Sequence, residues 1–507
     1  MFNLSDYASN GDKWLYHLLA NEKQDTFPDN YRLNFLYESD HYNSDTSAGV
    51  AILKLQEYLA LLDIPNFFIT IHTSNKNMRA ELNLAKKEFA PQENDIGIVQ
   101  INGEFSRILT NKNSLCIYPW IHFYINPQGL VGTCCEFNEN FPIGHVNDGN
   151  LSEIANNKKM RTVRMQMLAN QRPEICSNCW KKEDNGIRSS RQSVNSTHSK
   201  YLNLTKDTLE DGTVNNFKLR HLDFRASNIC NLKCRMCSGK FSSRIAQEES
   251  DLYNFNQFIE LKLDPSEISN TMSFIEEEIN NLDSIYFAGG EPLIMDEHYQ
   301  ILDLLIKHQR TDIDISYNTN LTKLQYKNKK VIDYWKQFSN VSVGASIDLI
   351  GAPAEYVRSG CSYPEIESNY HAIKDHVRFA ITSTVSIFNA FNLPDLQKHW
   401  INNLGVDAKR IMLNILVNPS HQSLQVLPRS FKDLAVEKIN THIKWLSTVS
   451  GTDKLILSWQ DVLKYINADD QSHLLTEFFR LNDDKDCCRK EKFENVFPEY
   501  AGLRQCQ

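Results

Sequence analysis

Residues 230–237 read CNLKCRMC, and this stretch constrains the chain more than any other. Cys230, Cys234 and Cys237 stand at C-x3-C-x2-C spacing, so a single loop can bring three thiolates to one small inorganic centre. Three thiolates suit a four-iron, four-sulfur cluster that leaves one iron open to an exogenous ligand, because cluster irons take sulfur donors. The alternative is a zinc site, which needs a fourth protein ligand from elsewhere in the chain.

Farther on, SIYFAGGEP (284–292) places Gly289, Gly290, Glu291 and Pro292 directly after a strand-like run. Alone, GGEP is an ordinary strand-to-helix turn. In this order, with strand-like HLDFRAS leading into CNLKCRMC and strand-GGEP following, the chain resembles the radical S-adenosylmethionine superfamily. The resemblance implies that Cys230, Cys234 and Cys237 hold a 4Fe-4S cluster whose open iron meets S-adenosylmethionine. It also implies that Gly289 and Gly290 let the backbone approach that cofactor, and that Glu291 accepts a hydrogen bond from the methionine ammonium. Met236 takes the position whose backbone faces the adenine. SYNTN (316–320) is similar to the family's third-strand ending and ASID (345–348) to its serine-bearing turn, making Asn320 and Ser346 ligands of ribose or carboxylate. Arg358, in YVRSG, matches a basic position that pairs bidentately with the methionine carboxylate; a surface ion pair is the alternative.

The second concentration of chemistry is residues 111–185. PWIHFYI and LVGTC are strand-like and joined by NPQG, whose Pro and Gly suit a hairpin turn. Such a hairpin brings Cys116 near Cys134 and Cys135, and PEICSNCW adds Cys176 and Cys179 at C-x2-C spacing. Four cysteines equally describe a structural zinc knot. Adjacent strand residues point to opposite faces, so only one of Cys134 and Cys135 aims inward, and spacing does not say which. His122 reads as an ordinary strand residue. Cys116, Pro119, Trp120, Gly129, Cys134, Cys135, Gly144, Cys176 and Cys179 resemble the twitch domain, the shortened SPASM domain, which implies an auxiliary iron–sulfur cluster, four-iron by expectation. In most enzymes of this kind that domain follows the barrel, whereas here it precedes it.

At 507 residues the chain is too long for one ordinary core. Residues 1–110 read as a small α/β domain of unknown role, built from YRLNFLY (31–37), a helical TSAGVAILKLQEYLALLD (46–63), NFFITIHT (66–73), a charged helical stretch and IGIVQI (96–101). Packing or partner docking is the expected role, since no catalytic motif falls there. Residues 186–216 are polar and read as a linker, with Arg188 and Arg191 solvated. From 217 to 428, six strand-like runs (HLDF, SIYFA, IDISY, VSVGAS, AITSTVSI and RIMLNIL) alternate with helical stretches. This pattern predicts a parallel sheet in an α/β, partial (β/α)6 TIM-like barrel, with function at the carboxyl ends of its strands. Residues 429–507 read as a helical cap.

A formal charge of −9 argues against nucleic acid or an anionic membrane as a general partner, and no stretch has the length to span a bilayer. A cytoplasmic protein is expected, in which twelve cysteines serve as metal ligands or thiols rather than disulfides. Cys361, Cys487, Cys488 and Cys506 are left as free or buried thiols. The resemblance then implies an enzyme that cleaves S-adenosylmethionine reductively to a 5′-deoxyadenosyl radical and takes hydrogen from a peptide or protein, fed by an external donor such as a flavodoxin or ferredoxin. A small-molecule substrate (sugar, nucleotide or lipid head group) and a zinc-binding interaction protein are the competing readings.

Overall fold

Short β-branched and aromatic runs become strands from the N-terminus onward. The structure, a computed structural model, describes residues 114–184, 188–254 and 259–506, together with four strands nearer the N-terminus. Those four are β1 (Phe2–Asn3), β2 (Tyr31–Tyr37), β3 (Phe67–Thr73) and β4 (Gln100–Asn102). They form one sheet in that order, parallel from β1 to β3 and antiparallel between β3 and β4. The helices expected over 46–63 and in the charged stretch after Thr73, and the first part of IGIVQI, lie outside the described residues.

The chain divides into two compact units, Met1–Trp120 with Lys158–Asn215, and Ile121–Asn157 with Asn216–Gln507. Besides its sheet, the first contains α1 (Lys158–Leu168), α2 (Ser177–Asp184) and α3 (Ser190–Thr197). A capping box between Ser189 and Gln192 starts α3. Arg191 departs from expectation: it is buried, pairs with Glu183 at 2.7 Å, donates to the Leu115 carbonyl at 2.8 Å and stacks 5.0 Å from the Trp180 ring. A polar stretch looks like a solvated loop in sequence because its partners, here Glu183 and Trp180, precede it in another element. Arg188 is exposed, as expected.

The second unit is mixed α/β around a mostly parallel sheet of nine strands. Its hairpin is β5 (His122–Ile125) and β6 (Leu130–Gly132), followed by β7 (Gly144–His145). Asn126 accepts from the backbone of Gln128 and Leu130 at 3.0 Å each, and Gly129 takes a φ of +72°, closing the NPQG turn. The predicted strand PWIHFYI is shorter than expected, because YPWI forms a helical turn (Tyr118–Ile121). LVGTC also stops early, and Cys134 and Cys135 lie on the turn after β6, where strand alternation no longer decides which way they point.

The six predicted runs appear as β8 (His221–Phe224), β10 (Ser284–Phe287), β11 (Asp314–Thr319), β14 (Asn340–Ser346), β16 (Arg378–Val385) and β17 (Ile411–Ile415). They lie side by side in chain order, every neighbour parallel. Between them lie β9 (Lys233–Cys234), which pairs antiparallel with β15 (Arg358–Ser359), and the small hairpin of β12 (Gln325–Tyr326) and β13 (Lys329–Lys330). At the β8 edge the sheet continues into β5, which runs parallel to β8 with His122 opposite His221. That pairing satisfies an edge that would otherwise present open backbone groups. His122 is a buried strand residue, donating from Nδ1 to the His221 carbonyl at 3.0 Å.

The crossovers include α4 (Ser243–Tyr253), α5 (Pro265–Glu277), α6 (Asp296–Lys307), α7 (Gly351–Val357), α8 (Tyr363–Ile373) and α9 (Leu393–Asn402). Asp264 caps α5 by accepting from Ser266 and Glu267, while Glu267 accepts from Asp264 in return and Pro265 opens the first turn. Ile285, Ile315, Val343 and Ile381 of the sheet are fully buried, as are Trp335 and Trp400 beside it. Side chains of this size contribute about 1.5–3 kcal/mol each when removed from water. The C-terminal stretch is α10 (Arg429–Leu446), α11 (Asp453–Ala468) and α12 (Leu475–Arg489).

Candidate functional site

A cavity of about 760 Å³ opens at the carboxyl ends of the parallel strands. The residues expected to hold cluster or cofactor between 230 and 358 line it: Cys230, Cys234, Met236, Cys237, Gly289, Gly290, Glu291, Asn320, Ser346 and Arg358. These residues arrive from separate strand ends, which only the parallel sheet brings level.

The cysteine loop is fixed from several sides. Asn228, fully buried, donates to the carbonyls of Gly239 (2.9 Å) and Ile259 (3.1 Å) and accepts from Leu261 N (2.9 Å), tying the loop's ends together. Cys237 N donates to the Cys234 carbonyl at 3.0 Å, and Leu232 N to Cys230 Sγ at 3.5 Å. Arg235, invisible to motif reading, is the loop's anchor. Its guanidinium is buried and donates to Asn482 Oδ1 (2.7 Å), Asp486 Oδ1 (2.5 Å), Glu491 and the Tyr356 carbonyl (3.1 Å). It also stacks 3.6 Å from the Tyr356 ring centroid. The Arg235 carbonyl in turn accepts from Gln422 Nε2 (3.0 Å) and Lys485 Nζ (3.3 Å).

The glycine turn packs directly against the cysteine loop. The position of a Cβ on Gly290 would lie 2.1 Å from the Ile229 carbonyl oxygen, so the missing side chain makes room for the cysteine loop's own backbone. Gly289 has a φ of +116°, and Gly290 N and Glu291 N donate to the carbonyls of Ser227 (3.2 Å) and Ile229 (2.8 Å). The turn is therefore a clasp between the ends of β8 and β10. Glu291 is buried and accepts from Thr319 Oγ1 (2.6 Å), Leu293 N (3.2 Å) and Asn320 N (2.7 Å), bracing β11 against the clasp. Asn320 also braces: Nδ2 donates to Asn231 Oδ1 at 2.9 Å and lies 4.0 Å from Cys230 Sγ, while Oδ1 accepts from Thr322. Ser346 ends β14, in register with Thr382.

Burial pushes the Glu291 carboxyl from 4.5 up to about 7, against the pull of the bonds from Thr319, Asn320 and Leu293. The folded chain then keeps a proton that the unfolded chain has lost, so this group lowers stability as pH rises from about 4.5 to about 7. Glu291→Gln, neutral throughout, is expected to flatten that fall in metal-free protein. Thermal unfolding across this range checks it, and an unchanged slope would count against Glu291 as its source.

Arg358 is partly buried: Nε and Nη2 both donate to Asp348 Oδ2 (2.8 and 2.7 Å), and Nη1 lies 3.6 Å from Cys234 Sγ. The Nε–Nη2 edge of the guanidinium holds Asp348, which leaves the N–H donors of Nη1 and the second N–H of Nη2 for other partners. Burial raises all three thiols of the triplet, Cys230 to about 12. Thiolates form at such positions only with positive charge beside them, so three half-buried cysteines facing one cavity, with a guanidinium against one of them, fit a cationic iron centre. Among the described residues, no three His, Cys, Asp or Glu side chains gather as they would around a single metal ion. A cluster asks for a different arrangement, with a separate iron for each thiolate.

The other cysteines fall into two groups. In the first unit Cys116 is buried close enough to Cys179 to feel its charge, and burial raises its thiol to about 12. Asn195 holds the backbone on either side of Cys116, accepting from Ile117 N (2.9 Å) and donating to the Leu115 carbonyl (2.8 Å). Cys176 ends a short 3-10 turn and Cys179 lies in the first turn of α2. In the second unit Cys135, exposed at the surface, lies beside the Asp223 carboxylate and the Arg225 guanidinium. Arg225, which pairs with both oxygens of Asp223 at 3.0 Å, lines the cavity together with Tyr286. Sequence reading missed Arg225, Tyr286, Gln422 and Lys485 as lining residues, since each is an isolated polar or aromatic residue with no motif spacing.

Parallel strands, a three-cysteine loop and a glycine clasp define a protein organised around an iron–sulfur centre. Residues 225–389 match the family model of the radical SAM superfamily, and residues 116–180 that of SPASM, an iron–sulfur cluster-binding domain. The chain therefore carries a radical SAM domain over residues 225–389, preceded by a SPASM-type domain over residues 116–180. Its domains imply 4Fe-4S clusters and S-adenosylmethionine as cofactors, which sets aside the zinc-binding interaction protein. Similar solved structures include native anSMEcpe with bound AdoMet (18% identity, 45% of this chain and 60% of that one, TM-score 0.32). Native anSMEcpe with AdoMet and Cp18Cys peptide also matches (18%, 46% and 61%, TM-score 0.32). So does Streptococcus suis SuiB bound to S-adenosylmethionine (14%, 56% and 63%, TM-score 0.29). The chain thus spans about 60% of the length of the first of these. No curated protein matches it. Among the described residues, no helix is long and apolar enough to cross a membrane.

Proposed function

We propose that the chain modifies a peptide or protein by hydrogen abstraction, with Cys230, Cys234 and Cys237 holding the cluster that S-adenosylmethionine meets. When bound, cluster and cofactor supply one-electron cleavage to methionine and a 5′-deoxyadenosyl radical, which becomes 5′-deoxyadenosine on taking hydrogen from the substrate. The observation carrying this reading is the convergence of the cysteine loop, the glycine clasp, Asn320, Ser346 and Arg358 on one cavity at the strand ends. The six parallel strands support a partial barrel around it.

In this reading the loop of Arg235 and the clasp of Gly289 and Gly290 hold the three thiols in place. Glu291 Oε2, which accepts from Asn320 N, offers its other lone pair to the methionine ammonium. Ser346 and Asn320 meet ribose or carboxylate, and the backbone of Met236 faces the adenine. A cavity of about 760 Å³ lies in the upper part of the range for ligand pockets, roughly 300–1,000 Å³, leaving room beside the cofactor for a substrate side chain. Cys116, Cys176 and Cys179 of the first unit serve the auxiliary cluster; a flavodoxin or ferredoxin supplies electrons.

The peptide assignment follows the SPASM-type domain and is tested by deuterium transfer. Reduced enzyme is incubated with the dialysable and the non-dialysable fractions of a deuterium-labelled lysate of its own source. Label is expected in 5′-deoxyadenosine from the non-dialysable fraction only, and protease treatment of that fraction should remove it. Label arising from the dialysable fraction would replace the peptide with a small molecule.

A further inference from the structure

We infer that Arg358 acts on the cluster itself: held by Asp348, its guanidinium donates to the Sγ of Cys234 and raises the cluster's reduction potential. This rests on the reading that Cys230, Cys234 and Cys237 hold the cluster. The geometry comes from the pairing of β9 with β15, where Cys234 and Arg358 are directly opposite. Opposed residues of an antiparallel pair share a face with their Cβ atoms about 4.5–5.5 Å apart, so the long Arg358 side chain reaches back over the neighbouring thiol. Nη1 lies 3.6 Å from Cys234 Sγ.

Asp348 fixes that placement. It is buried, accepts Nε and Nη2 of Arg358 at 2.8 and 2.7 Å, and is itself held by Thr384 N at 2.7 Å. The cation therefore has its positive face on the sulfur and its counter-charge on the far side. Adding an electron to a cluster increases the negative charge on its sulfurs, and hydrogen bonds to those sulfurs stabilise the reduced form. Low solvent exposure keeps water from screening the effect: the Arg358 and Asp348 side chains are 12% and 2% exposed. Charge removal at either residue then has a defined and opposite sign. Loss of the guanidinium makes reduction harder, and loss of the Asp348 charge makes it easier.

The test is a redox titration, followed by electron paramagnetic resonance, of the anaerobic iron-loaded full chain without S-adenosylmethionine. Arg358→Gln is expected to lower the equilibrium constant for one-electron reduction about tenfold, a shift of about 59 mV downward. Asp348→Asn, which keeps an acceptor for Thr384, is expected to shift the potential upward. Should Arg358→Gln fail to retain iron, Asp348→Asn alone decides, and an unchanged or lowered potential overturns the inference. Weakened S-adenosylmethionine binding in Arg358→Gln, with the potential unmoved, would return Arg358 to a ligand of the cofactor and overturn it too. Failure of the underlying reading shows separately, as a Cys234→Ala protein whose iron and spectrum match those of the wild type.

Discussion

Dithionite-reduced wild-type protein is expected to convert S-adenosylmethionine to 5′-deoxyadenosine and methionine without its proper substrate, and Cys234→Ala to lose that conversion entirely. Two remaining thiols cannot hold a four-iron cluster in the form with one open iron. The variant also removes the sulfur that accepts from Arg358 Nη1 at 3.6 Å. Cys176→Ala should retain part of the cleavage, since Cys176 belongs to the first unit and the cavity is lined entirely from the second. Chromatography of the reaction products, with iron and acid-labile sulfide measured on the same samples, decides the matter. Iron-replete wild type that yields no 5′-deoxyadenosine under any reductant would defeat the proposed chemistry. Equal loss of activity in both variants, with the first cluster still present in Cys176→Ala, would mean that the auxiliary centre is needed for cleavage.

The second large effect concerns a residue that touches no expected ligand. Arg235→Ala should destabilise the protein by about 3–5 kcal/mol, the cost of breaking a buried charge pair from one side. Asp486, buried, would lose its partner; it also accepts from Tyr356 Oη (2.8 Å) and Phe493 N (2.8 Å), so α12 and α7 loosen together. Denaturant unfolding of the anaerobic iron-loaded protein measures the change, and iron content should fall in parallel because the loop loses its anchor. A loss under about 1 kcal/mol would show that Lys485 and Gln422, bonded to the Arg235 carbonyl, hold the loop by themselves.

Much of the sheet was legible. HLDF corresponds residue for residue to β8 and YRLNFLY to β2, and the other runs shift by a few residues at their ends. The cysteine triplet and GGEP were legible because chemistry dictates their spacing locally. Where local pattern competed with neighbours, reading failed: PWI packed as a helical turn, with Trp120 donating to Thr208 Oγ1 at 2.8 Å, although its composition suits a strand. Arg191 seemed solvated and is buried against Glu183 and Trp180.

The sequence by itself determined the residue types that can hold iron, the order of strands and helices, and hence a parallel sheet with its strand ends on one side. Those properties depend on spacing along the chain, where thiolate number and apolar periodicity act over a few residues. Tertiary structure decided what each site residue faces. Gly290 accommodates the cysteine loop's backbone, Arg358 lies between Asp348 and Cys234, and Arg235 reaches a helix near the C-terminus. Such contacts join residues far apart in the chain. Their energies come from burial and charge in a low-dielectric interior that exists only once the sheet and its covering helices have packed.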